Sequence, residues 1–275
     1  MIPKIIHYCW LSGDPYPEKI QYCLNSWKKI IPDYEFVLWD TKRFPFDSCL
    51  WVKEAFEAKK YAFAADYIRL YAVYNYGGIY LDCDVEVFKR FDNLLHLPYF
   101  IGNESFENRV EIAAFGAEKG NPWIKDCLDY YSGKHFVKED GSLDMKVLPD
   151  IVFETVSPNY QLKNISKIED FENKDNIINV FPRDWFCANV HLNEYDLDPT
   201  YIISAYSYCV HHFANSYVKT KPLALFTLHT LLKLGIAFDK GKGWYIIETK
   251  RKNIFRRTIL KLIHLFQKTN IGWFR

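Results

Sequence analysis

The sequence predicts an α/β domain built on a parallel sheet. Its first 90 residues alternate between short apolar runs and helical patterns, in the order strand, helix, strand, helix, strand. Hydrophobic residues make up 49% of the 275 positions and aromatic residues 18%, which is enough for a sizeable core. Ligands of such folds collect at the carboxyl ends of the strands, so we expect a functional site there.

Each element has its own signal in the sequence. Residues 4–10 form an apolar run that predicts a short buried strand, and residues 35–39, EFVLW, predict a second one. Residues 18–31 place apolar side chains on one helical face and end at a proline. Residues 53–76 predict one long helix that two glycines terminate. Further strands are expected within 99–117 and a helix at 121–131.

The stretch GGIYLDCDVEVF, residues 77–88, carries the main functional signal. Its apolar residues predict a third strand, in which Asp82 and Asp84 would share one face because side chains i and i+2 do so. Two carboxylates that close repel each other, and burial makes each charge costlier. We therefore expect a positive group between them.

Several interpretations of the acid pair compete. The plainest is two exposed acids on a surface strand. A calcium-binding EF-hand loop is excluded, because it needs Gly where Val87 stands and Glu where Asn93 stands. A phosphatase of the haloacid-dehalogenase type has a similar motif, but it requires Thr or Val at the position of Glu86 and places the motif on its first strand.

A nucleotide-sugar glycosyltransferase is the third chemical interpretation. Mn²⁺ or Mg²⁺ seeks oxygen ligands and bridges carboxylates to a diphosphate. Such a cation stabilises the charge that develops on the departing nucleoside diphosphate. A carboxylate pair that leaves coordination positions open for phosphate suits this chemistry.

Three segments together resemble one family. They are IPKIIHYCWLSG at the start, AADYIRLYAVYNYGGIYLDCDV in the middle and HHFANSY near residue 215. They resemble the DXD-containing sugar transferases, which include capsular-polysaccharide glycosyltransferases and Golgi α-1,6-mannosyltransferases. More distantly, they resemble the catalytic domain of glucosylating bacterial toxins. The resemblance covers residues 1–220 and implies a Rossmann-like α/β domain of the GT-A type and a reaction that retains anomeric configuration.

The resemblance also implies a catalytic set. Asp66 and Arg69 share a helix face as an i, i+3 pair, so they can form an ion pair, and both would face the donor sugar. Asp82 would contact the ribose and the metal, and Asp84 would be the principal metal ligand. His212 would complete the metal site, with His211 as the alternative; a buried structural His pair is the competing interpretation.

A further set would bind the donor nucleotide sugar: Trp10, Gly77, Gly78, Tyr80, Ser216 and Tyr217. Trp10 would stack on the nucleobase, although a core Trp at the sheet edge is the simpler interpretation. The glycines would let the backbone pass close to the donor, or they merely stop the helix. Tyr217 stands where the family has Trp, which puts its role at the leaving phosphate in doubt.

Charge is unevenly distributed along the chain. Residues 249–275 hold eight of the 35 Lys and Arg and no acid, so residues 1–248 carry about −7. The apolar positions of this basic tail have helical spacing, which is typical of helices that lie on an anionic membrane surface. A helix docked on the acidic body or on a protein partner is the alternative. Because the charge is confined to the tail, we expect no nucleic-acid binding.

These patterns predict a GT-A domain at 1–220 and a helical segment with a basic amphipathic tail at 221–275. The expected function is metal-dependent, retaining transfer of a hexose from a nucleotide sugar, UDP-hexose favoured over GDP-mannose. The acceptor would be a glycan or lipid-linked oligosaccharide in capsular polysaccharide synthesis. The alternatives are the phosphatase and a non-catalytic binding protein. Seven scattered cysteines and the lack of a signal-like apolar start predict a cytoplasmic protein on the inner face of the membrane.

Overall fold

A computed structural model describes residues 1–104, 109–187, 189–191, 200–213, 236–239 and 243–246. The chain divides into two units, Met1–Tyr217 and Val218–Arg275. The strands of the first unit are β1 Ile5–Cys9, β2 Glu35–Trp39, β3 Gly78–Leu81, β4 Val85–Val87, β5 Tyr99–Asn103, β6 Val110–Ala117, β7 Gln161–Asn164, β8 Ile177–Val180, β9 Asn189–His191, β10 Thr200–Ile202 and β11 Cys209–His211. Its helices are α1 Glu18–Ile30, α2 Leu50–Glu57, α3 Tyr61–Tyr76, α4 Pro122–Asp129, α5 Leu148–Val156 and α6 Arg183–Phe186.

A five-stranded sheet of order β2-β1-β3-β6-β5 lies at the centre of the first unit. Strand β1 runs parallel to β2 and β3, whereas β6 runs antiparallel to β3 and β5. Helix α1 connects β1 to β2, and helices α2 and α3 connect β2 to β3. This βαβαβ arrangement confirms the predicted α/β, Rossmann-like fold class.

Helices cover both faces of the sheet. Because successive residues of a strand point to opposite faces, Tyr80 packs into the apolar cluster beneath α3, whereas Ile79 and Leu81 pack into the cluster beneath α1. All four residues of β3 are buried for the same reason. The carboxyl ends of β1 and β3 therefore emerge side by side at one edge, between two packed layers.

Two predicted elements are split in the structure. The expected long helix at 53–76 is two helices, α2 and α3, and the break holds Lys59 in the left-handed region at φ 56°. The expected third strand at 79–87 is also two strands, β3 and β4. Between them the chain turns at Asp82–Asp84, where the N–H of Val85 donates to the carbonyl of Asp82 at 3.0 Å. Strand β4 leaves the central sheet and pairs with β11.

The second unit contains the antiparallel strands β12 Ile236–Asp239 and β13 Gly243–Ile246. A helical segment is therefore the wrong prediction for these residues of 221–275. The basic tail, residues 249–275, lies outside the described residues. Within the described part of the chain, no helix combines the length and apolar character needed to span a bilayer.

Candidate functional site

A cavity of about 520 Å³ opens at the carboxyl ends of β1 and β3. The amino-terminal halves of α3 and β6 supply further walls, because β6 runs antiparallel to β3 and so begins where β3 ends. The lining side chains that can carry chemistry include Trp10, Asp66, Arg69, Tyr80, Asp82, Asp84, Glu104, Glu111 and His211. The fold thus brings residues from five separate parts of the chain to the predicted edge.

Asp82 is held by two neighbours. Its Oδ1 accepts a hydrogen bond from the hydroxyl of Tyr80 at 2.8 Å, and its Oδ2 accepts one from Nη1 of Arg69 at 3.1 Å. Burial raises the pKa of Asp82, the Arg69 guanidinium opposes that rise, and the neighbouring Asp84 adds to it. The guanidinium of Arg69 therefore supplies part of the positive charge that we expect beside the two aspartates.

Arg69 connects Asp82 to a second carboxylate, that of Asp66. Its Nη2 lies 3.1 Å from Oδ1 of Asp66, which is the predicted i, i+3 ion pair. Its Nη1 also donates to the carbonyl of Ile112 at 3.0 Å, and the guanidinium lies 4.7 Å from the ring centre of Tyr80. Burial raises the pKa of Asp66 to about 7, against the lowering effect of Arg69.

A candidate cation site lies beside this ion pair. Asp82, Asp84 and His211 each offer a ligand atom, and these atoms lie within 4.8 Å of one another. The Nε2 of His211 is 3.5 Å from Oδ1 of Asp84. Carboxylate oxygens with one imidazole suit Mn²⁺ and tolerate Mg²⁺. The donor set therefore fits the divalent cation that the sequence predicts.

His211, and not His212, is the histidine at this site. Strand β11 pairs with β4 so that His211 stands opposite Val85, next to the acid pair. Neighbouring side chains leave an extended backbone in opposite directions, and the Nε2 of His212 lies 2.9 Å from Oε2 of Glu86 instead. The geometry therefore favours His211, the alternative that the sequence left open, for the metal role expected of His212.

Glu111 is a site residue that sequence reasoning missed. It is 2% exposed, its Oε1 accepts the N–H of Ala113 at 2.8 Å, and the same oxygen lies 3.4 Å from Nδ1 of His211. Burial alone would raise the pKa of Glu111, but the nearby His211 holds it below its ordinary value. Burial alone would lower the pKa of His211, but the nearby Glu111 and Asp84 raise it above its ordinary value. A single acid inside the apolar run VEIAAFGA was the available signal.

Trp10 lies directly after β1 and lines the cavity, half-buried. Its ring centre is 4.9 Å from that of Tyr16, at an interplanar angle of 57°. Its indole N–H donates to the carbonyl of Asp14 at 2.7 Å. The aromatic face is thus held at the cavity wall by a hydrogen bond at the edge of the ring.

Gly77 and Gly78 do not line this cavity. They lie at the amino end of β3, whereas Asp82 follows its carboxyl end. A Cβ on Gly78 would come within 2.8 Å of the carbonyl oxygen of Ile5, and one on Gly77 within 2.9 Å of the amide nitrogen of Lys119. The close approach that these glycines permit is to the protein's own backbone, and their role at the donor stays a prediction. Ser216 and Tyr217 lie outside the described residues.

Residues 17–101 match the family described as a glycosyltransferase sugar-binding region containing a DXD motif. Inositol phosphoceramide mannosyltransferase 3 of Schizosaccharomyces pombe is 35% identical over 127 residues, which are 45% of this chain and 35% of that protein. A mannosyl phosphorylinositol ceramide synthase of Saccharomyces cerevisiae is 35% identical over 145 residues, 50% of this chain and 36% of that protein. The chain thus spans about a third of the length of these relatives.

A solved structure titled PaToxG Glycosyltransferase is 23% identical, covers 57% of this chain and 68% of its own, and superimposes with a TM-score of 0.43. The sequence comparisons confirm the resemblance to DXD-containing sugar transferases that the motifs predict. Asp66, Arg69, Asp82 and Asp84 all lie within the matched residues. Over residues 17–101 this chain is therefore similar to the sugar-binding region of DXD-motif glycosyltransferases.

Proposed function

We propose that the protein is a metal-dependent glycosyltransferase that moves a hexose from a nucleotide sugar to an acceptor hydroxyl, with retention of anomeric configuration. The observation that supports this most directly is the cluster of Asp82, Asp84 and His211 within 4.8 Å of one another, in the lining of a cavity large enough for a nucleotide sugar. Ligand pockets of about 300–1,000 Å³ are typical of small-molecule sites.

The side chains divide the work in this proposal. Asp84 and His211 would hold the cation with Asp82, and a bound cation would stabilise the negative charge of the leaving nucleoside diphosphate. Arg69 fixes Asp66 and Asp82 in one arrangement before the donor arrives, so no charge has to reorganise during the reaction. Asp66 accepts hydrogen bonds from hydroxyl groups of the donor sugar, and Trp10 stacks on the nucleobase.

Mannose is the hexose that the relatives favour. Both named relatives are mannosyl-transferring enzymes by their printed names. Because both names refer to mannosyl transfer, we favour GDP-mannose as the donor over UDP-hexose, which the sequence alone favours. The same names contain inositol phosphoceramide or phosphorylinositol ceramide, which supports a lipid-bearing acceptor for this chain. Synthesis of a surface or capsular glycan is the role that the family resemblance implies.

The phosphatase alternative is less well supported. In that mechanism one Asp attacks phosphorus. Here the acid pair follows the third strand rather than the first, and Glu86 stands where that family has Thr or Val. A non-catalytic binding protein remains the second candidate, and it predicts nucleotide binding without turnover.

Peripheral attachment to the inner face of the membrane completes the proposal. The eight basic residues in 249–275, with no acid among them, support binding to anionic lipid at about 1 kcal/mol each. Co-sedimentation with vesicles of phosphatidylcholine and phosphatidylserine would test this. The full chain should pellet and a chain ending at residue 248 should not; equal pelleting of both would refute the role of the tail.

Calorimetry tests the donor site. We expect GDP or UDP to bind the wild-type protein in the presence of Mn²⁺ and to bind at least tenfold more weakly without it or after Asp84→Asn. Glu86→Gln is the matched control, since it removes an equal charge two residues away, where Glu86 contacts Tyr22 and His212. Transfer from GDP-mannose or UDP-glucose, followed by NMR of the anomeric proton, then decides between an enzyme and a binding protein.

A further inference from the structure

Glu111 lies within β6, a strand in which every residue is buried. Burying a carboxylate is costly unless it is paired and hydrogen-bonded. The N–H of Ala113 supplies one hydrogen bond, at 2.8 Å, and the imidazole of His211 supplies a second contact, at 3.4 Å. Glu111 thus depends on His211, and the same contact acts in the opposite direction on the histidine.

The imidazole of His211 lies between two carboxylates. Its Nε2 is 3.5 Å from Oδ1 of Asp84, and its Nδ1 is 3.4 Å from Oε1 of Glu111. Histidines that bind metals almost always donate their other ring N–H to a carboxylate, a carbonyl or water, which fixes the tautomer and the orientation of the ring. Glu111 lies next to Nδ1 and Asp84 next to Nε2, which matches that arrangement in position; the Nδ1–Oε1 contact at 3.4 Å lacks the geometry of a hydrogen bond.

We propose that Glu111 is a positioning residue that accepts the Nδ1–H of His211 and so directs the lone pair of Nε2 at the cation site. The proposal deepens, and rests on, the proposed metal-dependent function. Glu111 acts through the histidine, since the ligand atoms found together among the described residues belong to Asp82, Asp84 and His211.

Ala113 ties Glu111 to the acid pair itself. Its N–H donates to Oε1 of Glu111 at 2.8 Å, and its carbonyl accepts the N–H of Asp82 at 2.8 Å. One peptide segment of β6 therefore positions both Asp82 and the partner of His211. This shared support keeps the histidine and the carboxylates in register without a ligand.

A double-mutant cycle on Mn²⁺ affinity tests the proposal. The dissociation constant is measured from the EPR signal of the free aqueous ion for wild type, Glu111→Gln, His211→Ala and the double variant. Loss of such a partner typically weakens metal binding about 10- to 100-fold, so we expect that loss in Glu111→Gln. In the His211→Ala background the same substitution should change the dissociation constant by less than twofold, because the imidazole that Glu111 would orient is absent.

Glu86→Gln is the charge control, because it removes the same charge from a side chain that contacts Tyr22 and His212. An equal loss from Glu86→Gln, an equal loss from Glu111→Gln in both histidine backgrounds, or no loss at all would overturn the positioning role. If Glu111→Gln does not fold, Glu111→Asp enters the same cycle, since it keeps the charge and shortens the reach. A wild-type protein that binds no Mn²⁺ would refute the metal-dependent function and the positioning role together, whereas normal wild-type binding with an unaffected Glu111→Gln would refute only the latter.

Discussion

Buried Arg69 forms an ion pair with partly buried Asp82, with Nη1 of the arginine 3.1 Å from Oδ2 of the aspartate. The other terminal nitrogen of Arg69 reaches Asp66 at the same distance, so one guanidinium serves two carboxylates that share a cavity wall. A planar fork with several donors can do this, whereas a lysine ammonium on a flexible stem presents a single point of charge. The pair thus organises the site before any donor binds.

Replacing Arg69 by Met should lower the free energy of unfolding by about 3–5 kcal/mol, because it leaves two largely buried carboxylates without their cation. Arg90→Met is the surface control. Arg90 pairs with Asp33 at 2.7 Å and also with Asp92, but about two fifths of its side chain is exposed, so its loss should cost much less than the loss of Arg69. Urea unfolding followed by tryptophan fluorescence measures both, and equal costs would contradict the structural role of the buried pair.

His211→Ala should weaken Mn²⁺ binding at least tenfold, whereas His212→Ala should change it less than threefold. The two side chains leave the backbone in opposite directions, and only that of His211 lies with Asp82 and Asp84. Calorimetric titration of Mn²⁺ into each variant measures the difference. A larger loss from His212→Ala would restore the first sequence-based assignment.

The sequence predicted the order of the first elements and the edge at which the site lies. It did so because apolar runs and helical spacing report which faces are buried, and burial dominates this fold. The i, i+3 relation of Asp66 and Arg69 was equally predictable, since helical geometry alone places them on one face.

Other features depend on contacts between distant parts of the chain and were not predictable from local patterns. The apolar run at 79–87 predicts one strand, but a turn at Asp82–Asp84 interrupts it, because β4 pairs with β11 rather than continuing in the central sheet. That same pairing decides between His211 and His212. Glu111 becomes a site residue only because β6 runs antiparallel to β3, which brings the start of one strand beside the end of the other.

Gly78→Ala should lower the free energy of unfolding by about 2 kcal/mol or more and leave the nucleotide affinity of the folded protein unchanged. Gly78 has φ +109°, and a Cβ there would come within 2.8 Å of the carbonyl oxygen of Ile5. A left-handed conformation alone costs an L-residue about 1–2 kcal/mol.

Gly133→Ala is the matched control for that substitution. Gly133 has φ +68°, but a Cβ added there would meet nothing within 4 Å, so only the conformational cost should appear. Urea unfolding gives the two stabilities and calorimetry gives the nucleotide affinity. A weakened affinity in the folded Gly78→Ala protein would instead support the donor-binding role first expected of this glycine.

His7 should make the stability of the protein depend on pH between about 4 and 6.5. The ring is 1% exposed, its Nε2 donates to the carbonyl of Gly77 at 2.8 Å, and its Nδ1 accepts the indole N–H of Trp39 at 3.1 Å. Both nitrogens are thus occupied in the neutral form, and burial lowers the pKa of His7 from 6.5 to about 4. The unfolded chain therefore takes up a proton at a higher pH than the folded protein does.

The sign follows from that difference in proton binding. The contribution of neutral His7 to the free energy of unfolding is about 3 kcal/mol. It is fully present above pH 6.5, decreases as the pH falls from 6.5 to about 4, and is lost below about pH 4. His7→Gln supplies a donor and an acceptor without a titrating group, so its unfolding free energy should fall less steeply over the same range. Urea unfolding of both proteins at half-unit steps of pH measures how steeply each unfolding free energy changes with pH. The carboxylates are common to both proteins, so they do not affect the comparison. Identical slopes between pH 4 and 6.5 would show that His7 is not neutral in the folded protein over this range.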